Sequence, residues 1–228
     1  MHASFWAVLK FAYRSRRVRE AERMDLPGLA PEERMQALKG LHRLSRWPGQ
    51  RGPILRGLAA MLGRPQSRTR RLIEVGAGSG HLSSWLAPRL KDLGHTVELL
   101  ATDREAAEGV LSLDALSRDL PEADIYFSNL MLHHLEDADV KMMLSRQAAV
   151  SRVGLVHFDL HRHWAHYYGA WFFLRTARMP GIVLQDGSLS IQQGYTRAEL
   201  MDLAEGASLS VRIDWNFPFR WMLSWRRR

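Results

Sequence analysis

Apolar positions change rhythm along the chain, and the changes divide it. Residues 1–70 carry helical spacing broken by prolines and glycines. The pattern predicts a helix over residues 1–23, a break at Pro27, Gly28 and Pro31, and a second helix opened by Pro31. Proline suits the first helical position, and Glu32 and Glu33 meet the positive end of the helix dipole. Leu38, Leu41 and Leu44 form an apolar stripe on that helix. After a Pro/Gly-rich loop, a third helix is predicted from about Ile54 to Leu62.

From Arg71 onward short apolar runs alternate with amphipathic stretches. Leu72–Val75, Val97–Asp103, Asp124–Asn129 and Val153–Asp159 read as buried strands. Helices are expected at His81–Leu93 and from the segment after Asn129 through Met143. Thr196-Arg-Ala-Glu199 is a capping box opening a helix that ends near Gly206. Leu209–Trp215 and Arg220–Trp225 alternate with period two around Pro218, the pattern of a closing antiparallel hairpin. The sum is an α/β fold with a doubly wound, mostly parallel sheet. It divides into an N-terminal helical preface or lid, residues 1–70, and a domain over residues 71–228. That domain has an aromatic-rich insertion at 161–195.

Composition narrows the chemistry. With 228 residues, 46% hydrophobic, the chain can bury one sizeable core. It has no cysteine, so disulfides, cysteine-ligated zinc and iron–sulfur clusters are excluded. No apolar run reaches the ~18 residues of a membrane span, and Ala3–Leu9 stops at Lys10 without a small-residue cleavage site. A cytoplasmic protein is expected. Charge is uneven: residues 1–71 carry 16 Lys and Arg against 5 Asp and Glu, while residues 72–211 carry 11 against 18. The basic arm Lys10–Arg23, with Arg14, Arg16, Arg17 and Arg19 beside Phe5, Trp6, Phe11 and Tyr13, suits contact with an anionic membrane surface, which would make the protein peripheral there. A solvated basic surface, or a helix packed on its own domain, accounts for it equally well.

The most informative segment is Leu72-Ile-Glu-Val-Gly-Ala-Gly-Ser-Gly-His-Leu82. A strand runs into three glycines and then a helix, a loop that faces the ligand in doubly wound sheets. The spacing Gly76-x-Gly78-x-Gly80 differs from the dinucleotide fingerprint, and His81 follows it. With Glu74 in front, this E-x-G-x-G-x-G resembles the first motif of class I S-adenosylmethionine-dependent methyltransferases. Asp103 ends the next strand 23 residues beyond Gly80. Leu113-Asp-Ala115 and the strand Asp124–Asn129 with Leu130-Met-Leu-His-His-Leu135 follow in order. The resemblance covers about residues 72–160 and extends to the C-terminal hairpin.

The resemblance implies a Rossmann-like, seven-stranded sheet with S-adenosylmethionine as cofactor and S-adenosylhomocysteine as product. It implies that Glu74, Gly76, Ala77, Gly78 and Gly80 surround the amino-acid end of the cofactor, with Asp103 on the ribose. Asp114 and Ala115 would border the adenine, and Asn129 and Leu130 the cofactor's edge. Leu132-His-His-Leu135 is similar to the quinone-pathway and natural-product methyltransferases, in which a histidine here and an aspartate after the fifth strand flank the acceptor. Those positions are His133 and Asp159. Methyl transfer to a phenol or alcohol gains from a general base. His133 as base, with Asp159 orienting it, is one reading, and a helix-start pair contacting ligand or backbone only is the other.

His161, His163 and His166 form a further group, in which His163 and His166 share a helix face. No third metal ligand is evident from spacing, and no metal is expected. The aromatic insertion resembles the family's cap over the acceptor, which makes His134, His163, Tyr167 and Trp171 candidate acceptor contacts. The expected partner is a small, aromatic or apolar molecule methylated on oxygen, of the polyketide or lipid-quinone kind. Nucleic acid is not the expected partner: Ser128-Asn-Leu-Met131 lacks the Asn/Asp-Pro-Pro-aromatic motif of amino-adenine methyltransferases. An RNA methyltransferase and a non-catalytic cofactor-binding protein are the alternatives.

Overall fold

The computed structural model describes residues 13–26, 28–45 and 51–228. In chain order the regular elements are α1 (Pro31–Ser45), α2 (Gly52–Leu62), β1 (Arg70–Val75), α3 (His81–Asp92), β2 (Val97–Asp103), β3 (Leu111–Ser112) and β4 (Ala123–Asn129). There follow α4 (Asp137–Val150), β5 (Ser151–Leu160), α5 (Trp164–Thr176), α6 (Gly181–Gln193), α7 (Arg197–Gly206), β6 (Arg212–Asn216) and β7 (Arg220–Arg226). Short 3-10 turns lie at Arg23–Asp25 and Leu132–His134.

Among the described residues the strands form one seven-stranded sheet in the order β3-β2-β1-β4-β5-β7-β6. The pairs β1–β2, β1–β4, β2–β3 and β4–β5 are parallel, and β6–β7 is antiparallel. This is the sheet that the methyltransferase resemblance implies. Chain order reverses across β1, so the loops after β1 and β4 leave neighbouring strands at the same carboxyl edge, where such sheets bind ligands.

The central strands are apolar runs because both their faces are covered. Leu72 and Ile73 of β1 are fully enclosed, as are Ile125, Tyr126 and Phe127 of β4. Leu72 pairs with Leu99 on one side and Ile125 on the other. One core cluster joins Leu72, Ile125, Phe127, Val156 and Phe158 of the sheet to Ile54 and Leu58 of α2 and Leu86 and Leu90 of α3. Close approach is built in at Gly154 of β5, where a Cβ would collide with the carbonyl oxygen of Trp225 in β7.

The molecule divides into two compact units. One comprises residues 48–159 and 197–228 and holds the sheet with α2, α3, α4 and α7. The other comprises residues 1–47 and 160–196, with α1, α5 and α6. Its core is Ala37, Leu174, Met179, Ile182 and Val183. The third predicted helix, here α2, therefore belongs with the sheet rather than with the preface.

The helix expected over residues 1–23 lies partly outside the described residues, and residues 13–22 are not helical. Their hydrogen bonds go elsewhere. Arg14 N–H donates to Gln192 Oε1 at 3.0 Å, Val18 N–H to the Gln192 carbonyl at 3.1 Å and Arg17 Nε–H to the Gln193 carbonyl at 2.7 Å. Acceptors at the carboxyl end of α6 thus replace an i to i−4 ladder. Farther along, Asp186 accepts from the backbone N–H groups of Arg23 and Met24 at 2.9 and 3.0 Å.

Candidate active site

The loop after β1 turns through three left-handed glycines: Gly76 at φ 66°, Gly78 at φ 55° and Gly80 at φ 69°. Side chains rarely tolerate that region. At Gly76 space is limiting as well, because a Cβ would stand 2.6 Å from Met131 Cγ. At Gly78 nothing lies within 4 Å of that point, so the backbone there faces open room. The loop is pinned to β2 by Ala77 N–H donating to the Thr102 carbonyl at 2.9 Å and Gly78 N–H donating to Asp103 Oδ2 at 2.8 Å. Gly80 then starts α3. Asp103 is only partly covered, so its carboxylate both braces the loop and remains open to solvent.

Glu74 lies beneath this loop, 2% exposed, and its carboxylate accepts from Ser83 Oγ of α3. Burial pushes its pKa up to about 7, against the pull of the Ser83 hydrogen bonds, and the charge of Asp103 adds to the rise. Glu74 is therefore a buried support of the loop. Asp114 caps the turn that follows β3: its Oδ1 accepts from Leu116 N–H at 2.8 Å, and its Oδ2 stands 3.8 Å from Arg104 Nε. Ala115 beside it is buried.

At the end of β4, Asn129 is half-buried and Leu130 takes a left-handed φ of 57°. A branched side chain rarely sits there, and such strain gathers where a loop has work beyond packing. The turn is fixed by Leu130 N–H donating to the Phe158 carbonyl of β5 at 2.8 Å. Met131, which fills the space over Gly76, follows directly, so the glycine loop and the loop after β4 abut.

His133 is 4% exposed and Asp159 1%. Their Nδ1 and Oδ1 are 2.6 Å apart, and the backbone N–H of His133 donates to Asp159 Oδ2 at 3.3 Å. A carboxylate accepts only, so Nδ1 carries the hydrogen and the lone pair of a neutral ring sits on Nε2. The exposed ring of His134 lies 4.2 Å from that of His133, centroid to centroid. Arg220, at the start of β7, is a further charged residue here. Its buried guanidinium is pulled down to about 10 by desolvation, while the charge of Asp159 acts to raise it. It donates to the carbonyls of Pro218 at 3.5 Å and Phe219 at 3.3 Å.

The sheet unit thus brings together Glu74, the glycine loop and Asp103, and sets along the same edge His133, after the neighbouring strand β4, and Asp159, on β5 beyond it. The helical unit holds the remaining candidates. There His163 Nδ1 accepts from Ala165 N–H at 3.1 Å, capping α5, and His166 Nδ1 donates to the His161 carbonyl at 2.9 Å. Tyr167 is fully enclosed beside Tyr13, and half-buried Trp171 has the Arg175 guanidinium 5.8 Å over its ring. Sequence reasoning passed over Arg220 and Met131, and it named Leu130 without its left-handed backbone angle. An arginine after a turn proline reads as surface, and neither a backbone angle nor a methionine facing a glycine leaves a mark in composition.

No family model matches the chain, and no curated protein does. Solved structures do. An O-methyltransferase family 2 protein from Planctomyces limnophilus, in complex with apigenin, shares 15% identity at a TM-score of 0.60, covering 100% of this chain and 67% of that one. The pyocyanin biosynthetic protein PhzM shares 20% identity at a TM-score of 0.51, covering 82% of this chain and 61% of that one. Magnesium protoporphyrin IX methyltransferase from Synechocystis, with bound S-adenosylhomocysteine, shares 15% at a TM-score of 0.51, covering 90% and 92%. The chain has the fold of these methyltransferases, and it spans about three fifths of the length of PhzM.

Proposed function

We propose that the chain is an S-adenosylmethionine-dependent methyltransferase acting on a hydroxyl of a small aromatic or lipid-quinone-like acceptor. One observation carries the reading. The loop braced by Asp103 abuts, through Gly76 and Met131, the loop that carries a buried His133–Asp159 pair. A cofactor cradle and a candidate proton acceptor are then adjacent in one rigid frame. The solved neighbours named above support the cofactor and the kind of acceptor.

The chain's residues suit this cofactor. Gly78 presents backbone to open room, as a loop following the amino-acid end of a ligand must. Asp103 offers acceptor oxygens to a ribose diol, Asp114 and Ala115 are the proposed adenine contacts, and Asn129 and Leu130 are the proposed contacts at the cofactor's edge. Bound S-adenosylmethionine supplies an electrophilic methyl group on a sulfonium centre. The protein's own work is alignment and proton removal. His133 Nε2 accepts the proton of the acceptor hydroxyl as its oxygen attacks. Asp159 keeps the proton on Nδ1 and balances the imidazolium charge that develops. His134, exposed beside His133, is the proposed acceptor contact within the sheet unit.

Transfer of labelled methyl to phenols and quinols tests this reading. Wild type should methylate at least one of them, and His133→Ala should lose roughly 10²–10⁴-fold in kcat while S-adenosylhomocysteine affinity stays within about threefold. Unchanged turnover in the variant would leave His133 as a ligand contact only. Methyl transfer to RNA instead would remove the acceptor assignment.

A further inference from the structure

We infer that the exposed face of α5 docks on an anionic lipid surface. Helix α5 is two-sided. His166, Tyr167 and Leu174 are turned into the helical unit. On the opposite side Trp164, Tyr168 and Phe172 are 60%, 50% and 66% exposed. They stand at i, i+4 and i+8, so they make one continuous ridge about 12 Å long. Exposed rings in a row are costly in water and mark a surface that something covers.

Charge selects what covers it. The thirteen residues of α5 include no Asp or Glu. Arg175 follows Phe172 by three residues on the same exposed face, and exposed Arg178 lies just past the helix end. The helical unit, residues 1–47 and 160–196, carries 13 Lys and Arg against 6 Asp and Glu, a net of +7. The sheet unit carries 19 against 18, a net of +1. Nearly all of the protein's net charge therefore belongs to the unit that bears the ridge.

Aromatic rings that enter the headgroup layer beside cationic side chains are the chemistry of a bilayer interface. Each Lys or Arg near an anionic surface adds about fivefold in affinity. A second copy of the chain would set two units of +7 against each other. Spanning is not the mode, since among the described residues no helix is long and apolar enough to cross a membrane.

The test is co-sedimentation of the whole protein with vesicles of phosphatidylcholine, and of phosphatidylcholine mixed equally with phosphatidylglycerol. Binding should be at least about tenfold tighter to the anionic vesicles and should weaken with added salt. Phe172→Glu should lose at least about tenfold of that binding, and Phe172→Leu should keep most of it. Both variants should keep the wild-type melting temperature within about 3 °C, which separates lost docking from lost folding. Absence of binding to the anionic vesicles would overturn the proposal. So would equal binding by wild type and Phe172→Glu. A soluble dimer that Phe172→Glu dissociates, without vesicle binding, would assign the ridge to a second copy.

Discussion

At the scale of single residues, the buried His133–Asp159 pair separates two jobs that a histidine at this edge could do. A ring held only for shape would tolerate an uncharged partner. A ring that must gain a proton during turnover would not, because the forming imidazolium needs the carboxylate. Asp159→Asn keeps the size of the side chain and removes the charge. Its kcat should fall roughly 10²-fold or more, while S-adenosylhomocysteine binding, measured calorimetrically, stays near wild type. Equal turnover would mean that Asp159 only orders the loop through the His133 backbone N–H. The buried Arg220 guanidinium senses the same carboxylate, whose charge acts against the desolvation that lowers the Arg220 pKa to about 10.

At the scale of elements, the loop after β1 is where backbone shape matters most. Gly76→Ala should lower stability by roughly 1–3 kcal/mol, since a left-handed φ and a collision with Met131 act together. It should also weaken cofactor affinity at least about tenfold, a loss of roughly 1.4 kcal/mol in binding. Gly63→Ala is the control. Its φ of 74° is similarly strained, nothing lies within 4 Å, and it sits after α2, so it should lower the melting temperature and spare affinity. The loop and strand β4 were legible in the sequence because a strand covered on both faces reads as an apolar run and a tight turn needs glycine. Helices α5 and α6 were not recognised as elements, because their aromatic and polar residues give no clean amphipathic stripe. The helix expected near the N-terminus fails over residues 13–22, where Arg14, Arg17 and Val18 bond to Gln192 and Gln193, between 174 and 178 residues away in sequence. Long-range partners of that kind leave no local period to read. For the site, residue identities were legible and contacts were not: spacing named Asp103, but only coordinates join it to Gly78 N–H.

At the scale of the whole molecule, two buried groups set opposing pH dependences. Glu74 has its folded pKa raised to about 7, so its contribution is complete below its unfolded value near 4.5 and is lost as pH rises through 7. His157, paired with Ser128 Oγ at 2.8 Å across β4 and β5, is buried and lowered to about 4. Its contribution is complete above 6.5 and is lost as pH falls toward 4. The two slopes offset each other between about 4.5 and 6.5. Glu74→Gln keeps an acceptor for Ser83 and removes one slope. Measured by melting, the variant should gain about 3 kcal/mol relative to wild type between pH 4.5 and 7. A constant difference across that range would mean that Glu74 is ionised in the folded protein throughout. The same frame must hold a cofactor if the account is right, and calorimetric titration with S-adenosylhomocysteine tests that most directly. Wild type should bind with a Kd on the order of micromolar, and Asp103→Ala should bind at least about tenfold more weakly. Absence of binding to wild type, or equal affinity in the variant, would contradict the account.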